Sequence, residues 1–122
     1  MSLPHTLRSA DDLVAAGLID AAEAGAVEQV AAAYAVAVTP AVAGLIDRAD
    51  PQDPIARQYV PSRAELTVAP TELSDPIGDS THSPIRGIVH RYPDRVLLTP
   101  ILACPIYCRF CFRRARVGQG EG

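Results

Sequence analysis

The chain has 122 residues, the size of one modest domain, and 48% of them are hydrophobic, with alanine prominent and aromatic residues at only 5%. The net charge of −3 is unevenly distributed, because residues 1–85 carry −8 and residues 86–122 carry +5. This asymmetry favours small anionic ligands near the C-terminal end and argues against a nucleic-acid surface over the whole protein.

The cysteine content indicates a reducing compartment. All three cysteines fall within eight residues, a spacing that favours a metal or cluster over a disulfide framework. The N-terminus lacks the basic and then apolar pattern of a signal peptide. Residues 24–46 are apolar, but Glu28, Gln29 and Pro40 interrupt them, so we expect no membrane span. The expected location is the cytoplasm.

Residues 9–49 are predicted to be helical. Capping patterns mark the expected helix starts. Three helices are predicted: one from Ser9 and Asp12 to near Gly17, one from Asp20 and Glu23 to about Val38, and one from Thr39-Pro40 to near Arg48. We expect this region to be a packing layer, because its residues show no catalytic or ligand spacing.

The middle of the chain changes character. Residues 50–61 contain three prolines and are predicted to be a linker or boundary. A further capping box at residues 62–65 indicates one or two helical turns, and residues 67–87 read as an irregular loop. The predicted division is a helical region at 1–57 and a second region at 58–122.

Two strands are expected after the loop. Residues 87–92 form one candidate, Pro93-Asp94 a turn, and the apolar run 95–103 a buried strand that gives way to a loop near Pro100. A buried strand followed at once by a functional loop is the layout of barrel-type α/β enzymes. The expected fold class is therefore α/β, with a helical N-terminal region followed by the first strand or strands of a partial (β/α) barrel.

The loop after the second strand carries Cys104, Cys108 and Cys111 with the spacing C-x3-C-x2-C. Three thiolates can hold three irons of a cubane cluster, which leaves the fourth iron open to a substrate or cofactor such as S-adenosylmethionine. The alternatives are a structural zinc site completed by His82 or His90, and three unligated buried cysteines.

Longer stretches around this loop carry a family resemblance. The cysteine spacing resembles the cluster motif of the radical S-adenosylmethionine superfamily. The segments similar to the lysine 2,3-aminomutase family are Gln58-Tyr-Val-Pro-Ser62 with Glu65-Leu66, Asp75-Pro-Ile-Gly-Asp79, His82-Ser-Pro-Ile, Gly87-Ile-Val-His-Arg-Tyr-Pro-Asp-Arg95, and Cys104-Pro-Ile-Tyr-Cys-Arg-Phe-Cys-Phe-Arg-Arg114. The similarity covers about residues 55–118, and the barrel it implies is a partial radical S-adenosylmethionine barrel.

The resemblance implies roles for particular residues. The three cysteines would ligate a [4Fe–4S] cluster that works with S-adenosylmethionine. Tyr92 and Arg95 match positions that contact pyridoxal phosphate, and Arg113 matches the arginine that holds the carboxylate of the substrate. An arginine suits each anionic group chemically. Arg86 and Arg116 are interpreted as surface charges.

The implied activity is an isomerase that moves an amino group from C2 to C3 of an amino acid, most plausibly L-lysine to L-β-lysine. The sequence contains no lysine and therefore cannot form the aldimine with pyridoxal phosphate. We expect the isolated chain to be an inactive N-terminal part that needs a second chain or a further segment to complete the barrel. The alternatives are a small iron–sulfur or zinc module that docks on a partner, and an aminomutase for glutamate or for a lysine attached to another molecule.

Overall fold

The computed structural model describes residues 4–118. Residues 1–3 and 119–122, at the outer ends of the two predicted regions, lie outside the described residues. Short helices come first and a β-hairpin follows. The elements are α1 (Ala10–Ala15), α2 (Ala24–Ala33), α3 (Pro40–Ala43), α4 (Pro54–Tyr59), β1 (Ile88–Tyr92) and β2 (Arg95–Leu98), with 3-10 turns at Ala21–Glu23, Arg63–Leu66 and Asp79–His82.

The predicted starts of α1 and α3 are confirmed. The Ser9 hydroxyl accepts a hydrogen bond from the Asp12 amide, and the Asp12 carboxylate accepts one from the Ser9 amide, each at 3.1 Å. The Thr39 hydroxyl accepts from the amide of Val42 at 3.4 Å, and Pro40 is the first helical residue. Both starts are local side-chain-to-backbone contacts, which is why the sequence reveals them.

The predicted extent of the second helix is wrong at both ends. Asp20 precedes a 3-10 turn and makes no side-chain cap, and α2 begins only after that turn. The helix ends at Ala33 and not near Val38, because Tyr34 adopts an extended conformation. Leu7 and Val38 exchange two backbone hydrogen bonds of 2.9 Å, so Val38 belongs to an antiparallel bridge.

The third helix is also shorter than predicted. It ends at Ala43, and Arg48 lies beyond it. The Arg48 guanidinium donates to the carbonyl of Ala16 at 2.9 Å and to that of Ala43 at 3.3 Å, so it caps the ends of α1 and α3 together. This contact crosses 32 residues and leaves no local signature in the sequence.

Residues 50–61 were predicted as a linker, but they contain α4. The Asp53 carboxylate accepts from the Ala56 amide at 2.7 Å, and Pro54 opens the helix. The capping box predicted at Ser62 and Glu65 is confirmed and starts a 3-10 turn. The predicted boundary at residue 57 thus falls within a helix.

The hydrophobic core lies among the helices. Aliphatic side chains from α1, α2 and the Leu7–Val38 bridge pack together, and Leu13, Val27 and Val38 have no exposed surface. Alanines and valines supply much of this core, as the composition indicates. No helix in residues 4–118 is long and apolar enough to cross a membrane.

β1 and β2 form an antiparallel hairpin, in which Ile88 pairs with Leu98 and Tyr92 with Arg95. The turn predicted at Pro93-Asp94 joins them. The expectation that residues 95–103 form a buried strand is wrong, because the strand ends at Leu98 and all four of its residues are exposed. Its apolar side chains Val96, Leu97 and Leu98 are 52%, 40% and 65% exposed. Residues 4–118 thus show helices and a two-stranded sheet, without the barrel itself.

Candidate functional site

The three cysteines lie on one loop after β2. Cys104 and Cys108 are exposed, Cys111 is half-buried, and all three are free thiols. The backbone bends at Pro105 and Ile106 and then makes a turn in which the Cys111 amide donates to the Cys108 carbonyl at 3.2 Å. The thiols therefore lie at the surface on a backbone that folds back on itself.

Tyr107 anchors the first part of this loop to the helical layer. Its side chain is 8% exposed, and its amide donates to the Ala37 carbonyl at 3.3 Å. Its hydroxyl accepts a hydrogen bond from the Cys104 amide at 3.2 Å. One buried aromatic residue thus fixes the backbone at the first cysteine and the residue before the second.

Arg109 anchors the stretch between the second and third cysteines. Its guanidinium makes a bidentate ion pair with Glu65, with Nη2 2.7 Å and Nε 3.0 Å from the carboxylate oxygens. Nη1 donates to the Ala35 carbonyl at 2.9 Å, and the backbone amide donates to the Gln58 carbonyl at 2.7 Å. The two paired side chains are only 6% and 12% exposed. A forked, buried pair of this kind fixes position as well as contributing energy.

The cysteine side chains are not assembled into a metal site. Among the residues the structure describes, no group of three His, Cys, Asp or Glu side chains is arranged to hold a metal ion, whether for a cluster or for the zinc alternative with His82 or His90. The donor set itself fits an iron–sulfur cluster, since three free thiols on one anchored, exposed loop are the ligands that such clusters use.

Tyr92 and Arg95 lie together across the hairpin. The Arg95 guanidinium stacks on the Tyr92 ring with 4.3 Å between its carbon and the ring centroid, and it pairs with Asp94 at 3.3 Å. The Tyr92 residue is 50% exposed and the Arg95 side chain 65%. An exposed guanidinium beside an aromatic ring suits a phosphate and a flat ring, which fits the phosphate end of pyridoxal phosphate. The aldimine does not fit, because the chain has no lysine.

Arg113 is not a free surface charge. Its Nε lies 2.7 Å from the carboxylate of Asp79, a residue that is 1% exposed. Arg91 approaches the same carboxylate at 3.1 Å and Arg116 at 3.9 Å. The interpretation of Arg116 as a solvated charge is therefore incomplete. Sequence reasoning missed Asp79 and Arg91, although both lie inside the quoted motifs.

Asp79 is held in its charged form. The hydrogen bond from Arg113 lowers the pKa of the Asp79 carboxyl below its usual value; burial acts against this, and the charges of Arg113 and Arg91 reinforce it. The pKa of Asp75 is also lowered, chiefly by the hydrogen bond from the Ser80 hydroxyl. Both carboxylates stay ionised at neutral pH.

Curated proteins similar in sequence are amino-acid aminomutases. The chain is 46% identical to L-lysine 2,3-aminomutase of Clostridium subterminale over 86 residues, which is 70% of this chain and 21% of the relative. It is 37% identical to that of Bacillus subtilis over 117 residues, 96% of this chain and 25% of the relative. It is 35% identical to glutamate 2,3-aminomutase of Clostridioides difficile over 95 residues, 78% and 22%. No family model matches the chain.

These matches place the chain among the amino-acid 2,3-aminomutases, a class of isomerases. Within that class the chain belongs to the lysine 2,3-aminomutase family. The chain spans about a quarter or less of the length of the curated relatives it matches.

Proposed function

We propose that this chain supplies the cluster loop and part of the cofactor and substrate contacts of a radical S-adenosylmethionine aminomutase that acts on L-lysine. The observation that carries the proposal is the anchored cysteine loop: three free, accessible thiols are held by Tyr107 and Arg109 at the edge of a helical layer. The lysine assignment follows the names of several relatives, among them one 46% identical to the chain.

Each group of the chain has a defined task in this proposal. Cys104, Cys108 and Cys111 hold a [4Fe–4S] cluster, which with S-adenosylmethionine supplies the radical that starts the reaction. Arg95 binds the phosphate of pyridoxal phosphate while the Tyr92 ring packs beside it, and pyridoxal phosphate supplies the electron delocalisation that lets nitrogen move. Arg113 holds the carboxylate of the amino acid in place.

The remainder of the active site comes from other polypeptide, either a second chain or further residues of the same protein. The aldimine needs a lysine that this chain lacks. In the described residues β2 pairs only with β1, so the backbone of its other edge is open to further barrel strands, which could also cover its exposed apolar side chains. We place the assembly in the cytoplasm, where free thiols stay reduced. The remaining partner is a small amino acid, with no nucleic acid or membrane.

Anaerobic reconstitution with ferrous iron and sulfide tests the cluster. We expect about four irons per chain, as for a [4Fe–4S] cluster, a broad visible absorption, and a paramagnetic signal after reduction that changes when S-adenosylmethionine is added. Cys108→Ser should lose the cluster. Phe110→Leu is the control, because Phe110 lies in the same loop, is 74% exposed and offers no ligand atom.

Stoichiometric zinc with no cluster would contradict the proposal and favour a zinc module. Glutamate is the second candidate substrate, favoured by the 35% identity to a glutamate 2,3-aminomutase. We expect the 122-residue chain alone to form no β-lysine even with the cluster and cofactors supplied, because it has no aldimine lysine. Chromatography of the products after incubation with L-lysine checks this.

A further inference from the structure

Asp79 occupies an unusual position for a carboxylate. It is 1% exposed and begins the 3-10 turn Asp79–His82, which packs against β1. Its own backbone is fixed on both sides: its amide donates to the Asp75 carboxylate at 2.9 Å, and its carbonyl accepts from the Ser83 hydroxyl at 2.7 Å. A buried charge persists only where several partners compensate it.

The partners are arginines from two different segments. Arg91 lies on β1 and donates from Nη2 to Asp79 Oδ1 at 3.1 Å and to the Ile77 carbonyl at 2.6 Å. Arg113 lies two residues after the last cysteine and donates from Nε to Asp79 Oδ2 at 2.7 Å. One carboxylate therefore ties the hairpin, which carries Tyr92, to the turn that follows the cysteine loop.

The atoms used matter. The hydrogen bond that Arg113 makes with Asp79 employs Nε, the side edge of the guanidinium. The fork that grips a ligand carboxylate bidentately can use the end edge, formed by Nη1 and Nη2. The Phe112 ring lies 4.7 Å from the guanidinium carbon and restricts it further. Asp79 thus fixes the plane of Arg113 and leaves its end edge for a ligand.

The geometry points to Asp79 as the positioning residue that orients Arg113 toward the carboxylate of the substrate and ties it to Arg91 on β1. The inference rests on the proposed function, because it takes Arg113 as the residue that holds the carboxylate of the substrate. Asp79 itself does not touch the substrate. It acts by keeping two guanidinium groups, 22 residues apart in the chain, in one fixed arrangement.

Phenylglyoxal, which modifies arginine side chains, provides the test on the full chain, read for each arginine by peptide mass spectrometry. Arg91 and Arg113 are each 30% exposed and Arg116 is 35% exposed, but Arg116 stays 3.9 Å from Asp79. We expect Arg91 and Arg113 to react about tenfold more slowly than Arg116, since a charge-assisted hydrogen bond must open first. This comparison needs no variant.

Asp79→Asn should raise the reaction rate of Arg113 to that of Arg116, whereas Arg91 should gain less, because its Nη2 still donates to the Ile77 carbonyl at 2.6 Å. Arg109, paired with Glu65, should stay slow and thereby report that the chain is folded. Asp94→Asn is the matched control, because it removes the exposed partner of Arg95 and should accelerate that residue alone.

Protection of Arg113 from phenylglyoxal by L-lysine distinguishes two explanations: positioning of the guanidinium by Asp79, and the effect of the Asp79 charge alone. Asn at position 79 removes a negative charge, so Coulomb attraction alone predicts that L-lysine protects Arg113 more strongly in the variant. Positioning predicts the reverse: L-lysine protects Arg113 in the unmodified chain, and this protection is lost in Asp79→Asn.

Equal rates at Arg113 and Arg116 in the unmodified chain would overturn the inference, as would a folded Asp79→Asn chain in which Arg113 still reacts slowly or is still protected. If Asp79→Asn does not fold, the comparison in the unmodified chain decides. If no cluster forms on reconstitution but phenylglyoxal labels the arginines as expected, the proposed function is refuted, while the positioning of Arg113 by Asp79 is supported.

Discussion

Replacing Arg109 with methionine should destabilise the chain and loosen the cysteine loop together. Methionine keeps much of the length and apolar surface of the arginine stem but removes every charged donor. The substitution leaves the Glu65 carboxylate, whose side chain is 12% exposed, without its bidentate partner, and it leaves the Ala35 carbonyl without the hydrogen bond from Nη1. The Ser62 amide remains as a donor to Glu65.

The size of the effect follows from burial. Removing one member of a buried ion pair costs about 3–5 kcal/mol when the other charge is left uncompensated. Arg114 remains 3.9 Å from the Glu65 carboxylate, so we expect the lower end of that range, about 3 kcal/mol. With a urea slope of about 2 kcal/mol per molar, the unfolding midpoint should fall by about 1.5 M. The control is Arg63→Met: Arg63 pairs with Glu23 at a similar distance of 3.2 Å, but the two side chains are 64% and 41% exposed. Losing that pair should cost about 0–1 kcal/mol.

Urea unfolding followed by circular dichroism measures both free energies. Alkylation of Cys108 under native conditions reports the loop, since this thiol directly precedes Arg109. We expect Arg109→Met to accelerate alkylation and Arg63→Met to leave it unchanged. If the two variants lost equal stability, or if alkylation were unaffected by Arg109→Met, the buried pair would not be what holds the loop.

Two further predictions concern pH and glycine. Because the pKa of Asp79 is lowered in the folded chain, chiefly by the hydrogen bond from Arg113, its contribution to stability is complete above its usual value of 3.8 and is lost as pH falls through the lower folded value. Asp79→Asn should therefore flatten the acid limb of a plot of unfolding free energy against pH. Gly118→Ala should destabilise by at least about 1 kcal/mol, because φ is +71° and a Cβ would lie 2.3 Å from that of Ala35. The control Gly25→Ala, inside α2 with open space around it, should stabilise by about 0.5–1 kcal/mol in the same urea assay.

Helix starts could be predicted from the sequence because their contacts are local. The hydroxyls of Ser9 and Thr39 each accept from a backbone amide three residues away, and the Ser62 amide donates to the Glu65 carboxylate, so the residue pattern shows these contacts directly. At Asp53-Pro54 the same local signal starts α4, inside the stretch predicted to be a linker or boundary. The end of α1 near Gly17 was predictable too, because glycine accepts the φ of +71° that the chain adopts there. The ends of α2 and α3 were not, because the residues that follow these helices make contacts with distant parts of the chain, such as the Leu7–Val38 bridge and the bond from Arg48 to Ala16.

In the candidate site, too, local features could be predicted from the sequence and long-range contacts could not. Cysteine spacing is a local pattern and indicated a loop for a cluster. The partners of Arg109 and Arg113 lie 44 and 34 residues away, so no periodicity reveals them. Apolar content correctly indicated a strand at 95–98, but it did not indicate that the strand is exposed. An apolar run shows that burial of the side chains is favourable, and it does not show which element buries them.

The anchoring of the cysteine loop follows an alternation that links packing to chemistry. Tyr107 and Arg109 are buried, and Cys108 between them is exposed. Because the side chains on either side of Cys108 are held in the helical layer, the Cys108 side chain is left at the surface. Tyr107 also holds the backbone at Cys104 through its hydroxyl, and Arg109 holds the approach to Cys111 through Glu65. The helical layer, which carries no ligand of its own, therefore decides where the thiols lie. Loss of the contacts that Tyr107 and Arg109 make with the helical layer should therefore impair metal binding even when all three cysteines are intact.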